Sequence, residues 1–470
     1  MTSNDSRSPI LARLFKGVGA QGFAQAVSSL VRLGEVPLFL GFWGPHLYGE
    51  WLMLFAIPSY LAIGDGGFCT AACHDMTMLG QGGDTKGALR VFQSTWLLLI
   101  LISVAVGICA IVFVNEAPIA RWLGFSIIGE RQLKIIFLLL TAYVLVGFQG
   151  GLLNGALWIA GRYPTAMVLG GLSQLLEFTG LAMAVAFGYG PVKAASGLLA
   201  GRLLGVGLSL VVQRRVTPWV HHGKSHASIS EVRRLFGPAL ASLALPLGSA
   251  LNTQGIRLAV GLALGPPAVA VFSAMRTLTR LAAKPCNIIN RLIEPELAIA
   301  FGLKDKSLFR GLLAKSSQAS IWGCIATCVL VAPAARWVYP IWTRGRVSIH
   351  WPAFMILLAV TFVNGVWYTL LMGPYSTNRH GRMAVVYLFV FGLAVCGLGY
   401  FGAVWAGLSG ACFALLAAEC VMAMIVIRAA LRMAGLDTTQ FIKIVARPPL
   451  ALSGRIFRTV GRNLRSSWLS

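Results

Sequence analysis

Residues Pro266–Ala300 read PPAVAVFSAMRTLTRLAAKPCNIINRLIEPELAIA. The stretch is long enough to cross a bilayer as a helix, yet it carries Arg276, Arg280, Lys284 and Arg291. At about 100° per residue these four cations fall within one sector of roughly 80°. A charge at the centre of a membrane helix costs about 2.5–3.5 kcal/mol on insertion scales, so four together do not face hydrocarbon. The pattern predicts a helix lining a polar cavity. A cavity lined by cations suits an anionic passenger.

The rest of the chain supplies the membrane context. Of 470 residues, 57% are hydrophobic and only 11% charged, which excludes an ordinary soluble domain. Apolar stretches recur along nearly the whole length, and the first, from Val18, reads as a retained helix rather than a signal peptide. The net charge of +24 does not point to nucleic acid, because the cations cluster in loops between apolar spans. Twelve spans are expected, at about 18–43, 47–71, 91–114, 133–157, 164–188, 191–213, 235–264, 266–300, 315–338, 350–373, 382–402 and 403–430. The resulting organisation is a cytoplasmic N-terminus 1–17, an N-lobe 18–213, a linker 214–234 with an amphipathic helix, a C-lobe 235–430 and a basic amphipathic tail 431–470. Arg7, Arg13, Lys16, Arg214, Arg215, Arg233, Arg234 and the tail fall on one side; Arg121, Arg131, Lys134, Lys193, Arg336, Arg344 and Arg346 on the other. The imbalance predicts that both termini are cytoplasmic.

The halves look related. Leu38–Trp51 reads LFLGFWGPHLYGEW and Ala259–Phe272 reads AVGLALGPPAVAVF, each with Gly-Pro at the turn between a half's first two spans. Six spans per half return the chain to its starting side, so the repeat is parallel. Ser228-x-x-Glu231 reads as a capping box opening a helix before the seventh span. The tail places Arg455, Arg458, Arg462 and Arg465 among apolar residues, a pattern that suits anionic lipid.

Other charges lie within spans. Gln21, Gln25, Ser28, Arg32 and Glu35 form one polar stripe on the first helix, read as a lumen face, although Arg32 and Glu35 could also pair. Asp65 sits in Gly64-Asp65-Gly66-Gly67, either a helix-ending turn or a functional carboxylate. Arg257 stands near the outer end of the seventh span, where it either snorkels outward or guards the cavity mouth. Lys284 precedes Pro285, which predicts a kink. Glu177 and Arg202 fall at equal depth in an antiparallel hairpin and are expected to pair. Gly147, Gly151, Gly155 and Gly197, Gly201, Gly205 are expected to be packing surfaces. Cys69 and Cys73, and Cys324 and Cys328, are read as small packing residues rather than metal ligands. No G-x-x-x-x-G-K-[ST] motif appears, and the loops are too short to house a catalytic domain, so neither an ATP motor nor an enzyme is expected.

The stretches PLFLGFWGPHLYGEW from Pro37, IGDGGF at 63–68 and SAMRTLTR at 273–280 resemble the first, second and eighth helices of polysaccharide flippases. These are the Wzx-type O-antigen and exopolysaccharide flippases of the multidrug/oligosaccharidyl-lipid/polysaccharide exporter superfamily. The resemblance implies an all-α polytopic protein of two six-helix lobes, a V-shaped alternating-access transporter of the bacterial inner membrane. It implies an undecaprenyl-diphosphate-linked oligosaccharide as passenger, with Arg32, Arg257, Arg276 and Arg280 facing the lumen; Lys284 and Arg291 complete the candidate set. Glu35, Asp65 and Glu177 are the candidate coupling carboxylates. Expected partners are the lipid-linked oligosaccharide, anionic membrane lipids and other polysaccharide-assembly membrane proteins. No cofactor is expected, and the drive stays open between a proton gradient, a sodium gradient and the membrane potential. A multidrug antiporter of the same fold would need an acidic lumen, and a membrane polysaccharide polymerase or ligase a sizeable outer loop.

Overall fold

The computed structural model describes residues 7–65, 67–377 and 380–448; the arginine-rich segment of the tail lies outside the described residues. The described residues form helices without a strand. In chain order these are α1 (Arg7–Phe42), α2 (Gly44–Leu61), α3 (Phe68–Gln81), α4 (Thr85–Glu116), the single turn α5 (Ile119–Trp122), α6 (Glu130–Ile159), α7 (Tyr163–Ala186), α8 (Pro191–Val216), α9 (Ile229–Ala250), α10 (Ile256–Leu264), α11 (Pro266–Thr279), α12 (Lys284–Gly302), α13 (Lys306–Trp342), α14 (Trp351–Ser376), α15 (Gly381–Leu393), α16 (Tyr400–Ala434) and α17 (Thr438–Ala446).

Among the described residues, eight helices are long and apolar enough to cross a membrane by length and composition. The difference from twelve has local causes. The second span ends at Leu61 rather than near residue 71, because Gly67 takes a left-handed φ of 74° and a new helix starts at Phe68. The seventh is interrupted by a π turn at Leu251–Gly255, and the eighth by a 3₁₀ turn at Arg280–Ala283. The last two spans run on from Gly381 to Ala434 as one stretch. Within it the chain turns at Ala406 and Gly407, four residues beyond the expected boundary.

The chain divides into two compact units: residues 1–277, 338–350 and 387–414, and residues 278–337, 351–386 and 415–470. In the first unit, α7 and α8 lie backbone to backbone. A Cβ on Gly201 would sit 2.5 Å from the Glu177 Cα, and one on Gly205 would lie 2.7 Å from the Ser173 Cβ. The glycine run therefore works as a packing surface, as its spacing predicts. Cys69 and Cys73 of α3 rest on α6, their thiols 3.5 and 3.8 Å from the carbonyls of Phe148 and Gly151. The linker after α8 is tied down by buried amides. Gln93 Nε2 donates to the His221 carbonyl at 3.2 Å, and the His226 N–H donates to Gln93 Oε1 at 2.8 Å. Ser228 caps α9 as expected, accepting from the Ser230 N–H at 3.3 Å. Glu231 does not close the capping box; it takes Arg234 Nε at 2.8 Å instead.

The two Gly-Pro turns share a geometry. Gly44 and Gly265 both have positive φ, 72° and 83°, and each precedes a proline that opens the next helix. The second turn also meets the helix that the first one opens: a Cβ on Gly49 of α2 would overlap the Pro266 carbonyl oxygen and lie 2.9 Å from the Pro266 Cα.

In the second unit α12 packs on α14. The Cys286 thiol lies 3.5 Å from the Ser320 carbonyl, and the Ser320 and Thr369 hydroxyls share a 2.8 Å hydrogen bond. Glu419 is buried there, accepting from Trp367 Nε1 at 2.6 Å and Asn364 Nδ2 at 3.1 Å.

Candidate functional site

The first unit gathers charge around one point of α1. Pro37 has no N–H, so the Leu33 carbonyl loses its helical donor. Trp342 Nε1 takes that carbonyl at 2.8 Å and fixes α1 between Arg32 and Glu35. Arg32 is exposed and Glu35 half-buried. Tyr48 of α2 is buried nearby, its ring stacked 5.1 Å from that of Phe39.

A second arginine arrives from the interrupted seventh span. A π turn inserts one extra residue into the helical repeat and frees a carbonyl from its ordinary partner. Here Arg276 supplies the donors: Nη1 donates to the Asn252 carbonyl at 2.7 Å and Nη2 to Asn252 Oδ1. Arg276 is only 6% exposed, with its guanidinium 5.6 Å from the centre of the Phe272 ring. The expected cavity cation therefore braces the π turn. That turn aims the next residues: Arg257, half-buried, donates through Nη1 to Gln254 Oε1 at 3.0 Å. Arg257 Nε is buried and makes no hydrogen bond among the described residues. Arg257, Glu35 and Arg32 stand close enough to act on one another electrostatically, beside the neutral Tyr48 phenol. Among the described residues no ion pair within 4.0 Å joins Glu35 to either arginine. Two arginines thus neighbour one carboxylate, a net positive charge, and the buried Arg257 Nε is a donor without a hydrogen bond among the described residues. Such an arrangement can take an anion bidentately.

The remaining candidates fall elsewhere. Arg280 stands in the 3₁₀ turn, half-buried, with Lys284 just after it and Arg291 exposed on α12, all in the second unit. A 3₁₀ turn winds at about 120° per residue rather than 100°, so Lys284 and Arg291 leave the sector that a continuous helix would give them. The tightening precedes Pro285 as the sequence predicts, and Thr327 Oγ1 donates to the Ala282 carbonyl at 2.8 Å. Asp65 sits in the turn between α2 and α3, where Oδ1 accepts the Gly67 N–H at 3.1 Å. Glu177 meets Arg202, Oε1 to Nε at 3.2 Å, and accepts from the Tyr143 hydroxyl at 2.8 Å. The Arg202 guanidinium lies 4.2 Å from the Tyr143 ring centre, so the three side chains form one interlocked group.

Two buried carboxylates escape the sequence reading. Glu50, fully buried on α2, accepts the N–H groups of Ser126 at 2.7 Å, Ile127 at 2.9 Å and Ile128 at 2.7 Å. Glu419, 1% exposed, is the other. The signal for both is a lone acid inside an apolar span, which the cost of burying charge makes informative by itself.

No protein-family model matches the sequence, and no curated protein does. Solved structures do match. One is an inward-facing multidrug resistance MATE family transporter of the MOP superfamily, with TM-score 0.71 and 16% identity over 88% of this chain and 95% of that one. Another is the lipid II flippase MurJ in an inward closed conformation, with TM-score 0.69 and 14% identity over 91% and 90%. A third is a MOP superfamily transporter from Pyrococcus furiosus, described as having a binding pocket of reverse polarity, with TM-score 0.60 and 15% identity over 90% and 95%. The chain has the helical fold of these proteins. The expected all-α polytopic architecture is therefore correct, and the structural neighbours are transporters and a flippase rather than enzymes.

Proposed function

We propose that this chain is a flippase for an undecaprenyl-diphosphate-linked oligosaccharide, acting in bacterial surface-polysaccharide assembly at the inner membrane. The observation that carries the reading is the Arg32–Glu35–Arg257 group: two arginines that, among the described residues, make no ion pair with the nearby carboxylate, on a fold that includes a lipid flippase. A diphosphate presents oxygen pairs that match the planar guanidinium fork, which an ammonium cannot reproduce. Arg276 supports the site through Asn252, and Arg280, Lys284 and Arg291 remain proposed cations of the second unit. The cation bias of the loops supports cytoplasmic termini, and the internal Gly-Pro similarity supports lobes at 18–213 and 235–430.

The test is polymer export by cells lacking the chromosomal copy. Arg257→Ala and Arg32→Ala should each abolish export while leaving the amount of protein in the membrane unchanged, and Arg257→Lys should retain part of it. Full export by the double Ala variant would refute the reading. A multidrug antiporter, which the MATE likeness also supports, would instead give drug resistance that survives both substitutions.

A further inference from the structure

The second unit carries a cation cluster that the transport reading does not use. A cleft of about 800 Å³ opens between the start of α13 and α17, lined by Lys306, Arg310, Lys315 and Arg447, with Gln318 at its floor. None of the residues lining it is acidic. The two nearest acids by sequence are otherwise engaged. Asp305 Oδ1 caps α13 by accepting the Leu308 N–H at 2.9 Å, and Asp437 accepts the Thr439 hydroxyl.

The cleft is a built feature rather than a chance crowd of surface lysines. Gln318 Nε2 donates to the carbonyls of Ile444 at 2.9 Å and Arg447 at 2.7 Å, and Trp322 Nε1 donates to that of Val445 at 2.9 Å. Arg310 Nη2 donates to Gln440 Oε1 at 2.7 Å. Phe441 is buried beneath. These bonds take up carbonyls at the C-terminal end of α17, the partial negative charge that would otherwise attract the cations. They also hold Arg447 in register with α13. Four cations thus line one opening that has no acid among its described lining residues, with the Arg310 guanidinium held by Gln440 and the other three exposed.

We propose that this cleft binds a phosphate group. The shared chemistry is a phosphoryl oxygen cluster, which four cations satisfy and a carboxylate-free wall does not repel. Its source is either the headgroup of an anionic phospholipid or a soluble phosphate. The inference is independent of the transport reading.

The experiment uses the full chain, purified and embedded in zwitterionic-lipid nanodiscs. One arm titrates pyrophosphate from solution; the other replaces part of the lipid with phosphatidylglycerol. Native mass spectrometry counts the retained ligand, and hydrogen exchange follows residues 306–318 and 438–447. Retention and protection in the lipid arm alone assign a headgroup; in the pyrophosphate arm alone, a soluble ligand. In either case the variant Lys306→Gln, Arg310→Gln, Lys315→Gln, Arg447→Gln should weaken binding at least tenfold. Should that variant misfold, Lys315→Gln, at an exposed position, should still lower affinity measurably. A control neutralises Arg214, Arg215, Lys224 and Arg233, exposed cations outside the cleft. Equal loss in the control, or binding unchanged in the cleft variants, or no binding in either arm, overturns the site.

Discussion

Glu50→Ala should loosen the loop after α5 and lower the stability of the whole first unit. Glu50 is the common acceptor for three consecutive backbone donors, Ser126, Ile127 and Ile128, at 2.7–2.9 Å. The Ile128 residue is only 2% exposed, so its N–H would be stranded away from water, at a cost of about 1–3 kcal/mol. Ser126 and Ile127 are exposed and can turn to water, so each loses only the net worth of its bond, about 0.5–1.5 kcal/mol. Relief of the buried carboxylate offsets part of this, which places the expectation near 2–4 kcal/mol, an order-of-magnitude figure. Glu50→Gln keeps one carbonyl oxygen and should fall between wild type and Ala. The assay is thermal unfolding in detergent, read by tryptophan fluorescence, together with limited proteolysis of residues 124–129. An unchanged midpoint and unchanged cleavage in Glu50→Ala would mean that the three hydrogen bonds contribute nothing, and the reasoning would fail.

Glu177→Ala should reduce folded yield by stranding the Arg202 charge, a loss smaller than the roughly 3–5 kcal/mol of a fully buried pair because the Arg202 side chain is 26% exposed. The exchange Glu177→Arg with Arg202→Glu should recover part of that yield in a fluorescence size-exclusion assay; normal yield in Glu177→Gln with loss only of gradient dependence would identify a coupling carboxylate instead. Gly49→Ala should destabilise by about 1–3 kcal/mol or more, because its methyl group overlaps a backbone oxygen that cannot rotate away; a wild-type melting point would contradict the packing. Asn252→Ala should impair export much as Arg257→Ala does, through misplacement of the π turn. Export at the wild-type level would show that the Arg276 brace is dispensable.

The sequence made some of this legible and hid the rest for identifiable reasons. Glu177 and Arg202 could be matched because hairpin depth follows from counting residues back from one turn. The Gly197–Gly205 run was readable because small residues at every fourth position leave a groove on any regular helix. The fate of Arg276 was not readable, because a helical wheel assumes a constant turn per residue. The π turn at Leu251–Gly255 breaks that assumption on the facing helix and creates the carbonyl that Arg276 takes. Glu50 was visible as a charge, but its partners are backbone amides some 76–78 residues away, and an amide gives a sequence no distinguishing letter. Asp65 reads equally as a turn or as a functional carboxylate, and the helix that begins at Phe68 falls inside the span expected to run to about 71.

The contact of α2 with the second Gly-Pro turn has a kinetic side. Gly49 and Pro266 touch through main-chain atoms, with no side chain interlocked between them at that point. Side chains that interdigitate must lose rotamer freedom to dock and must find the same rotamers again after each separation. A seam of bare backbone has no such search. Within the first unit the two segments can therefore dock by position alone, and a side chain added at residue 49 would have to push them apart.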